Sequence, residues 1–250
     1  MQEDWDYYLC EIDGEQAGVF INLALHGHAP DVERRVSLRI ATPLIAAEPG
    51  GLEESDETNA DRLEDDLEET VLARMNALYV GRITHSGLRE FFFYASGSQG
   101  MLEAVREVSR RHPEYKLEAG SAADPRWDQY LQVMYPAPEV LRSMKNQKVL
   151  NALREHGDEL TQPREVEHWV HFASTEARHE FRKKVAGKGF AVRRELNDPN
   201  EESVERPFGL IIWRKETLDQ QNIDRVTLEL EALSQASGGH YECWESPVIA

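Results

Sequence analysis

The sequence predicts an α+β protein of two domains. Residues 1–137 form an acidic N-terminal domain, a mixed β-sheet with helices, and residues 138–250 a ferredoxin-like (β-α-β-β-α-β) sandwich with a leading linker helix. Three observations predict this. Strand-like runs crowd the first half, the second half orders its elements as a split βαβ unit, and Pro136-Ala137-Pro138 punctuates the chain between them. A length of 250 residues suits two domains of ordinary size.

In the first domain, Trp5–Ile12 and Ala17–Leu25 flank Asp13-Gly14-Glu15-Gln16, whose Asp-Gly pair favours a tight turn, so a hairpin is expected. Val36–Thr42 reads as a third strand and Pro49-Gly50-Gly51 as a break. Between Glu53 and Glu69 stand ten carboxylates, with Arg62 the one cation. Leu63, Leu67, Val71, Met75 and Leu78 or Tyr79 recur every three to four positions, which predicts an amphipathic helix with its acids on the outer faces. Leu88–Ala95 is a strand. Ser98 stands where an N-cap would open a helix burying Met101, Leu102, Val105 and Val108 and ending near His112-Pro113. Tyr115–Glu118 and Trp127–Tyr135 read as the last strands of this domain.

The second domain opens with a helix from about Glu139 to His156 that links the halves. Strands near Val166–Phe172, Gly189–Leu196, Phe208–Arg214 and His240–Glu245 alternate with helices Thr175–Ala186 and Thr217–Ala236. The last helix begins Thr217-x-x-Gln220, a capping-box pattern, buries Ile223, Val226, Leu230 and Leu233, and stops at Ser237-Gly238-Gly239.

The chain carries 46 Asp+Glu against 28 Lys+Arg, a net charge of −18. The excess belongs mostly to residues 1–136, which hold 26 acids and 12 bases. Phosphate recognition needs clustered Lys and Arg, so no direct nucleic-acid contact is expected. A partner selected by charge is a protein with basic segments. The start, Met1-Gln2-Glu3-Asp4-Trp5-Asp6, lacks the basic region of a secretory signal, and the best apolar run, Val19–Leu25, is too short to span a bilayer. Cys10 and Cys243 read as reduced thiols, so the expectation is a cytoplasmic protein without membrane contact.

From about Val149 onward, several blocks keep a recognisable order. They are Ala152-Leu153-Arg154-Glu155-His156-Gly157-Asp158, Val166-Glu167-His168 running into Phe172, Lys188-Gly189-Phe190-Ala191-Val192, Asn222-Ile223-Asp224 and Tyr241-x-x-Trp244. This part of the chain resembles the RraB family, regulators of ribonuclease E activity. The family's Tyr-Asp-Gly-Trp stands here as Tyr241-Glu242-Cys243-Trp244, and Trp169 replaces a second His that often follows the first. The first half resembles a domain-of-unknown-function family through Trp5-Asp6-Tyr7-Tyr8-Leu9, Asp13-Gly14, Val19-Phe20-Ile21-Asn22-Leu23, Phe91-Phe92-Phe93-Tyr94 and Asp124-Pro125-Arg126-Trp127 leading to Tyr135-Pro136. The first resemblance implies a non-catalytic protein that binds a ribonuclease and reduces RNA cleavage. An acidic surface that occupies the enzyme's basic segments in place of RNA is a physical route to that outcome.

The candidate site residues follow from alternation and charge. On a strand, Val166, His168, Val170 and Phe172 share one face, and Glu167, Trp169 and His171 the other. His168 is therefore expected as a hydrogen-bonded core residue, a structural family mark together with Asp224 and Tyr241. Trp169, His171, Trp213 and Trp244 form a candidate partner-binding set of aromatics, the rival reading being that the first domain covers this face. Glu64, Asp65, Asp66, Glu68 and Glu69 are either a solvated helix face or a docking surface for a basic partner. The basic run Arg178, Arg182, Lys183, Lys184, Lys188, Arg193 and Arg194 reads as a solvated face that pairs with the acidic first domain. No Gly-x-Ser-x-Gly, Walker or dinucleotide fingerprint is present, so no catalytic, cofactor-binding or metal residue is assigned and no cofactor is expected. Two alternatives stand beside the ribonuclease regulator. One is an immunity-type inhibitor of another basic nuclease or toxin; the other is a metal-assisted hydrolase drawing on His26, His28 or His171, for which His26-Gly27-His28 offers two imidazoles on one face and no third ligand nearby.

Overall fold

The computed structural model describes residues 2–12, 14–44, 54–197 and 205–249, and side chains except those of residues 54–58. Asp13, the Pro49-Gly50-Gly51 break and Glu53 lie outside the described residues. The chain divides into two compact units, Met1–Pro136 and Ala137–Ala250.

The first unit is a six-stranded antiparallel sheet. Its strands are β1 (Trp5–Ile12), β2 (Glu15–Asn22), β3 (Val36–Pro43), β4 (Ala77–His85), β5 (Leu88–Ala95) and β6 (Glu118–Ala123), in the order β1-β2-β4-β5-β3-β6. Helices α1 (Glu54–Arg74) and α2 (Met101–Arg111) supply Leu63, Leu67, Val71, Met101, Ala104, Val105 and Val108 to a core with Leu38, Ile40, Tyr79, Phe91 and Phe93 of the sheet. The expected apolar stripe of α1 is thus present, but the helix stops at Arg74. Leu78 and Tyr79 continue the helical spacing by coincidence and belong to β4, a strand the periodicity hid. Gly81 shows why β4 can approach β2: its φ is +138°, and a Cβ there would lie 2.1 Å from the Phe20 carbonyl oxygen, at a bulge between Tyr79 and Gly81. Ser86 and Gly87, both at positive φ, turn β4 into β5.

Three other expectations change. Ser98 does not cap α2, which opens at Gly100 without a side-chain cap. Tyr115 is a buried core residue ahead of β6, so the strand lies a few residues later than Tyr115–Glu118. Trp127–Tyr135, aromatic and strand-like in composition, contains a π-helical turn at Gln129–Met134. Trp127, Tyr130 and Met134 recur at three and four residues and are fully buried. Trp127 stacks on Tyr94 at 4.0 Å, Tyr130 Oη donates to the Asn22 carbonyl (2.8 Å), and Tyr8 Oη donates to the Met134 carbonyl (2.7 Å). Helical spacing therefore covers the sheet face opposite α1 and α2.

The second unit contains α3 (Pro138–Glu155), β7 (Arg164–Phe172), α4 (Thr175–Ala186), β8 (Ala191–Asn197), β9 (Phe208–Glu216), α5 (Gln220–Gln235) and β10 (Gly239–Glu245). Its sheet runs β10-β7-β9-β8 with every neighbouring pair antiparallel, the ferredoxin-like order. α4 and α5 cover one face through Phe181, Val185, Val226 and Leu230 against Val170, Phe172, Leu210, Ile212 and Tyr241. α3 is more than a linker, because Leu150 and Leu153 pack with Val166, Leu218, Ile223 and Trp244. α5 starts later than the Thr217-x-x-Gln220 pattern implies: Asp219 is the cap, accepting from the Asn222 N–H at 2.8 Å, and Thr217 donates to the Asp219 carboxylate.

Candidate functional site

The sheet of the second unit separates its side chains cleanly. Along β7, Arg164, Val166, His168, Val170 and Phe172 are buried, while Glu165, Glu167, Trp169 and His171 are half-buried on the other face. His168 is fully buried, with Nδ1 2.9 Å from Tyr241 Oη and its ring edge-on to Phe190. Burial, aided by Arg214, depresses its pKa to about 3. The neutral imidazole is wedged into the core, on the face where alternation placed it. Its Nε2 is buried without a partner among the described residues.

The other two family marks also hold the fold. Asp224 accepts from Ser143 Oγ (2.6 Å), Asn146 Nδ2 (2.7 Å) and Gln220 Nε2 (2.9 Å), which ties α3 to α5. Tyr241 lies beneath the Arg142 guanidinium, 4.9 Å from its ring, and Arg142 also pairs with Glu231. Trp244 is corrected by the same network. It is 5% exposed and its indole N–H donates to Asn146 Oδ1 at 2.9 Å, so it belongs to the core and not to a partner surface. The cause is a bulge between Tyr241 and Cys243, which resets the alternation and brings Trp244 to the face that Tyr241 occupies.

The face opposite α4 and α5 therefore keeps Trp169, His171 and Trp213 of the aromatic set, all three half-buried and the Trp169 indole nitrogen shielded from solvent. Ile211 lies between them in register with Trp169 and is 2% exposed. Charged pairs flank this strip. The Arg193 guanidinium lies 4.6 Å from the centre of the Trp213 ring and pairs with Glu167 (2.7 Å) and with Glu165. His171 Nε2 meets Glu242 Oε2 at 2.9 Å. An open cleft of about 400 Å³ lies beside the strip, lined by Glu165, Glu167, Glu245, Ser246 and Pro247. This strip thus combines half-buried aromatic rings with carboxylates.

The acidic helix is less uniform than its sequence. Glu64 points inward: it is 6% exposed and accepts from Tyr79 Oη (2.7 Å) and Arg82 Nη1 (2.5 Å). Asp66 is half-buried and meets His112 Nε2 at 2.7 Å. Asp65 and Glu69 are exposed. Glu68 is half-buried, and its carboxyl is held above the usual range by burial and by the nearby charges of Glu3, Glu64 and Asp65. The outward negative face thus consists of Asp65, Glu68 and Glu69. Glu64 leaves the set because it pairs with the half-buried Arg82.

The basic run is largely satisfied inside its own unit. Arg178 donates to the Leu196 carbonyl (3.0 Å) and Asn197 Oδ1 (2.8 Å), Arg182 pairs with Glu195, Lys183 with Glu180 and Lys188 with Glu229. His26 and His28 do not continue a strand. Leu23–Gly27 is a 3₁₀ turn, and the His26 ring stacks on Tyr135 at 4.1 Å. Among the described residues no three His, Cys, Asp or Glu side chains converge as a metal site.

One constellation escaped the sequence reading. Asp158 and Arg164 form a buried pair, 1% and 3% exposed at their side chains. Asp158 also accepts from the Leu160 and Ile249 N–H groups at 2.8 Å each, and Arg164 donates to the Pro247 carbonyl. The pair clamps residues 246–249 onto the α3–β7 connection. Asp158 stood at the end of one family block, but nothing in the spacing announced its partner.

Residues 143–246 match the model of the family "Regulator of ribonuclease activity B", and residues 3–135 match "Family of unknown function (DUF695)". No curated protein matches. Among solved structures, the "Crystal Structure of an Unknown Protein from Galdieria sulphuraria" aligns at 12% identity over 84% of this chain and 96% of its own, with a TM-score of 0.21, a likeness that carries no argument. No helix among the described residues is long and apolar enough to cross a membrane. Since the DUF695 match spans more than half of the sequence, the chain belongs to the DUF695 family, with a domain matching the regulators of ribonuclease activity joined behind it.

Proposed function

We propose that this protein is a non-catalytic, cytoplasmic regulator of RNA degradation that inhibits a ribonuclease of the ribonuclease E type by docking on it. The observation that carries the reading is the match of residues 143–246 to the regulator family. The ferredoxin-like domain supports it by offering a face of Trp169, His171 and Trp213 framed by Glu165, Glu167 and Glu242. Aromatic area beside carboxylates suits Arg- and Lys-rich segments, because arginine both stacks on rings and pairs with acids. Asp65, Glu68 and Glu69 of the first domain add negative potential that steers a basic partner and repels RNA. The function is competition for cationic surface, with no bond made or broken by this chain.

Titration of the full chain against the basic C-terminal scaffold of ribonuclease E tests the reading. Saturable binding that weakens with salt, and weakens about tenfold or more in Trp213→Ala, is expected. An absence of binding at low salt would end this version. Binding instead to an unrelated basic nuclease would move the function to the immunity class.

A further inference from the structure

We propose that β1 is an open docking edge, and that its occupant is an extended segment of another protein alternating basic and apolar residues. This surface lies in the DUF695 domain, and its use does not require the partner to be a ribonuclease.

The two sheets have four edge strands, β1, β6, β8 and β10. β8 and β10 carry bulges, between Val192 and Arg194 and between Tyr241 and Cys243, and a bulge breaks the regular row of amides that an incoming strand needs. β6 is six residues long and reads Glu-Ala-Gly-Ser-Ala-Ala, without a large apolar side chain. β1 differs on both counts. It pairs with β2 over eight residues in unbroken register, and it exposes Tyr7 (52%) and Leu9 (55%).

The phase of the ladder decides which groups are offered. The Leu23 N–H bonds to the Asp4 carbonyl, so Trp5 and Asn22 form a non-hydrogen-bonded pair. By alternation, the N–H and C=O groups of Trp5, Tyr7, Leu9 and Glu11 point away from β2 to the open edge. The Tyr7 N–H is met by Asp6 Oδ1 at 2.8 Å, which leaves Trp5, Leu9 and Glu11 as the outward donors, the last two beside the exposed apolar pair. Tyr7 and Leu9 also share one face, over Phe20 and Gly18. Gly18 seats the tyrosine: a Cβ there would come within 2.3 Å of Tyr7 Oη.

Charge selects the occupant. Glu3 accepts from the Trp5 indole, Glu11 follows the apolar pair on the same face, and Glu3 is near enough to Glu68 of α1 to raise its pKa. Lys or Arg on the incoming strand gains from this field. A second copy of β1 would bring its own Glu3 and Glu11 against the same acids, so self-pairing is penalised. Strand addition of this kind takes its affinity from main-chain bonds and its selectivity from alternate side chains.

The probe is a heptapeptide of alternating Lys and Val, blocked at both ends, added to the full chain and followed by amide-resolved NMR. The expected result is saturable binding with exchange protection gained at Leu9 and Glu11. Leu9→Lys weakens it by about tenfold or more, whereas Leu102→Lys, at an equally exposed site on α2, leaves it unchanged. A probe N-methylated at alternate residues fails to bind. Leu9→Thr keeps strand propensity and guards against loss of the fold. Equal binding by the N-methylated probe or by Leu9→Lys overturns the proposal. So does perturbation confined to α1, or protection of the same amides that grows with protein concentration alone and marks a second copy. The probe contains no ribonuclease sequence, so failure here leaves the ribonuclease reading standing.

Discussion

Replacing His168 with Gln removes a buried imidazole of the ferredoxin-like core that titrates in the mildly acidic range only when the chain unfolds. In the folded chain its pKa is about 3 instead of the ordinary 6.5, because burial opposes the charged imidazolium and Arg214 adds like charge. The unfolded chain takes up a proton below pH 6.5 while the native chain does not. Stability is therefore complete above about pH 6.5 and falls with pH by about 1.4 kcal/mol per unit, the loss reaching about 5 kcal/mol near pH 3. A glutamine side chain cannot titrate, so the stability gap between the natural chain and His168→Gln narrows by about 2 kcal/mol between pH 6.5 and pH 5. Urea titrations of the full chain, read at the Trp244 indole resonance in the same core, measure that gap. Groups elsewhere, such as Glu68 with its raised pKa, contribute equally to both proteins and cancel. A gap of the same size at both pH values refutes the reasoning.

Three further variants separate acids that hold the fold from acids that face solvent. Asp158→Asn leaves the 3%-exposed Arg164 side chain without its charge partner and costs about 3 kcal/mol. Loss of hydrogen-exchange protection at Ile249 is the local sign, and an unchanged tail amide contradicts the clamp. In the natural chain this pair is lost only below about pH 4, since Arg164 holds the Asp158 carboxyl below its ordinary 3.8, so it adds nothing between pH 6.5 and pH 5, where the His168 comparison is made. Glu64→Ala strips the partner of Arg82 and Tyr79 and lowers the thermal midpoint of the first domain, at a cost of about 3 kcal/mol. Asp65→Asn with Glu69→Gln shifts stability by less than about 0.5 kcal/mol but flattens the salt dependence of partner binding. Equal destabilisation by both sets would erase the distinction.

Much of the architecture was legible because alternation and turn chemistry agree in the same segments. The β1–β2 hairpin, β3, β5 and the order of the second domain follow from them, and the apolar stripe of α1 is where its spacing put it. The failures have three physical causes. Periodicity cannot tell a helix that ends from one that continues when the next strand begins with apolar residues, which hid β4 behind Leu78 and Tyr79. Aromatic, strand-like composition made the π-helical turn around Tyr130 read as a strand. Bulges reset the count of faces. Simple alternation from Tyr241 sends Trp244 outward, and the bulge at Glu242 returns it to the core. The inward turn of Glu64 was equally hidden, because its partners Tyr79 and Arg82 lie on the strand that the periodicity concealed.

The most direct test of the central claim is a cleavage assay in which the full chain is titrated into a ribonuclease of the ribonuclease E type at fixed RNA concentration. A docking regulator gives inhibition that saturates at a fixed molar ratio, weakens with added salt and leaves the RNA unaltered when this protein is present alone. Cleavage or modification of RNA by this chain on its own, or inhibition far below stoichiometry that grows with time, would contradict the account.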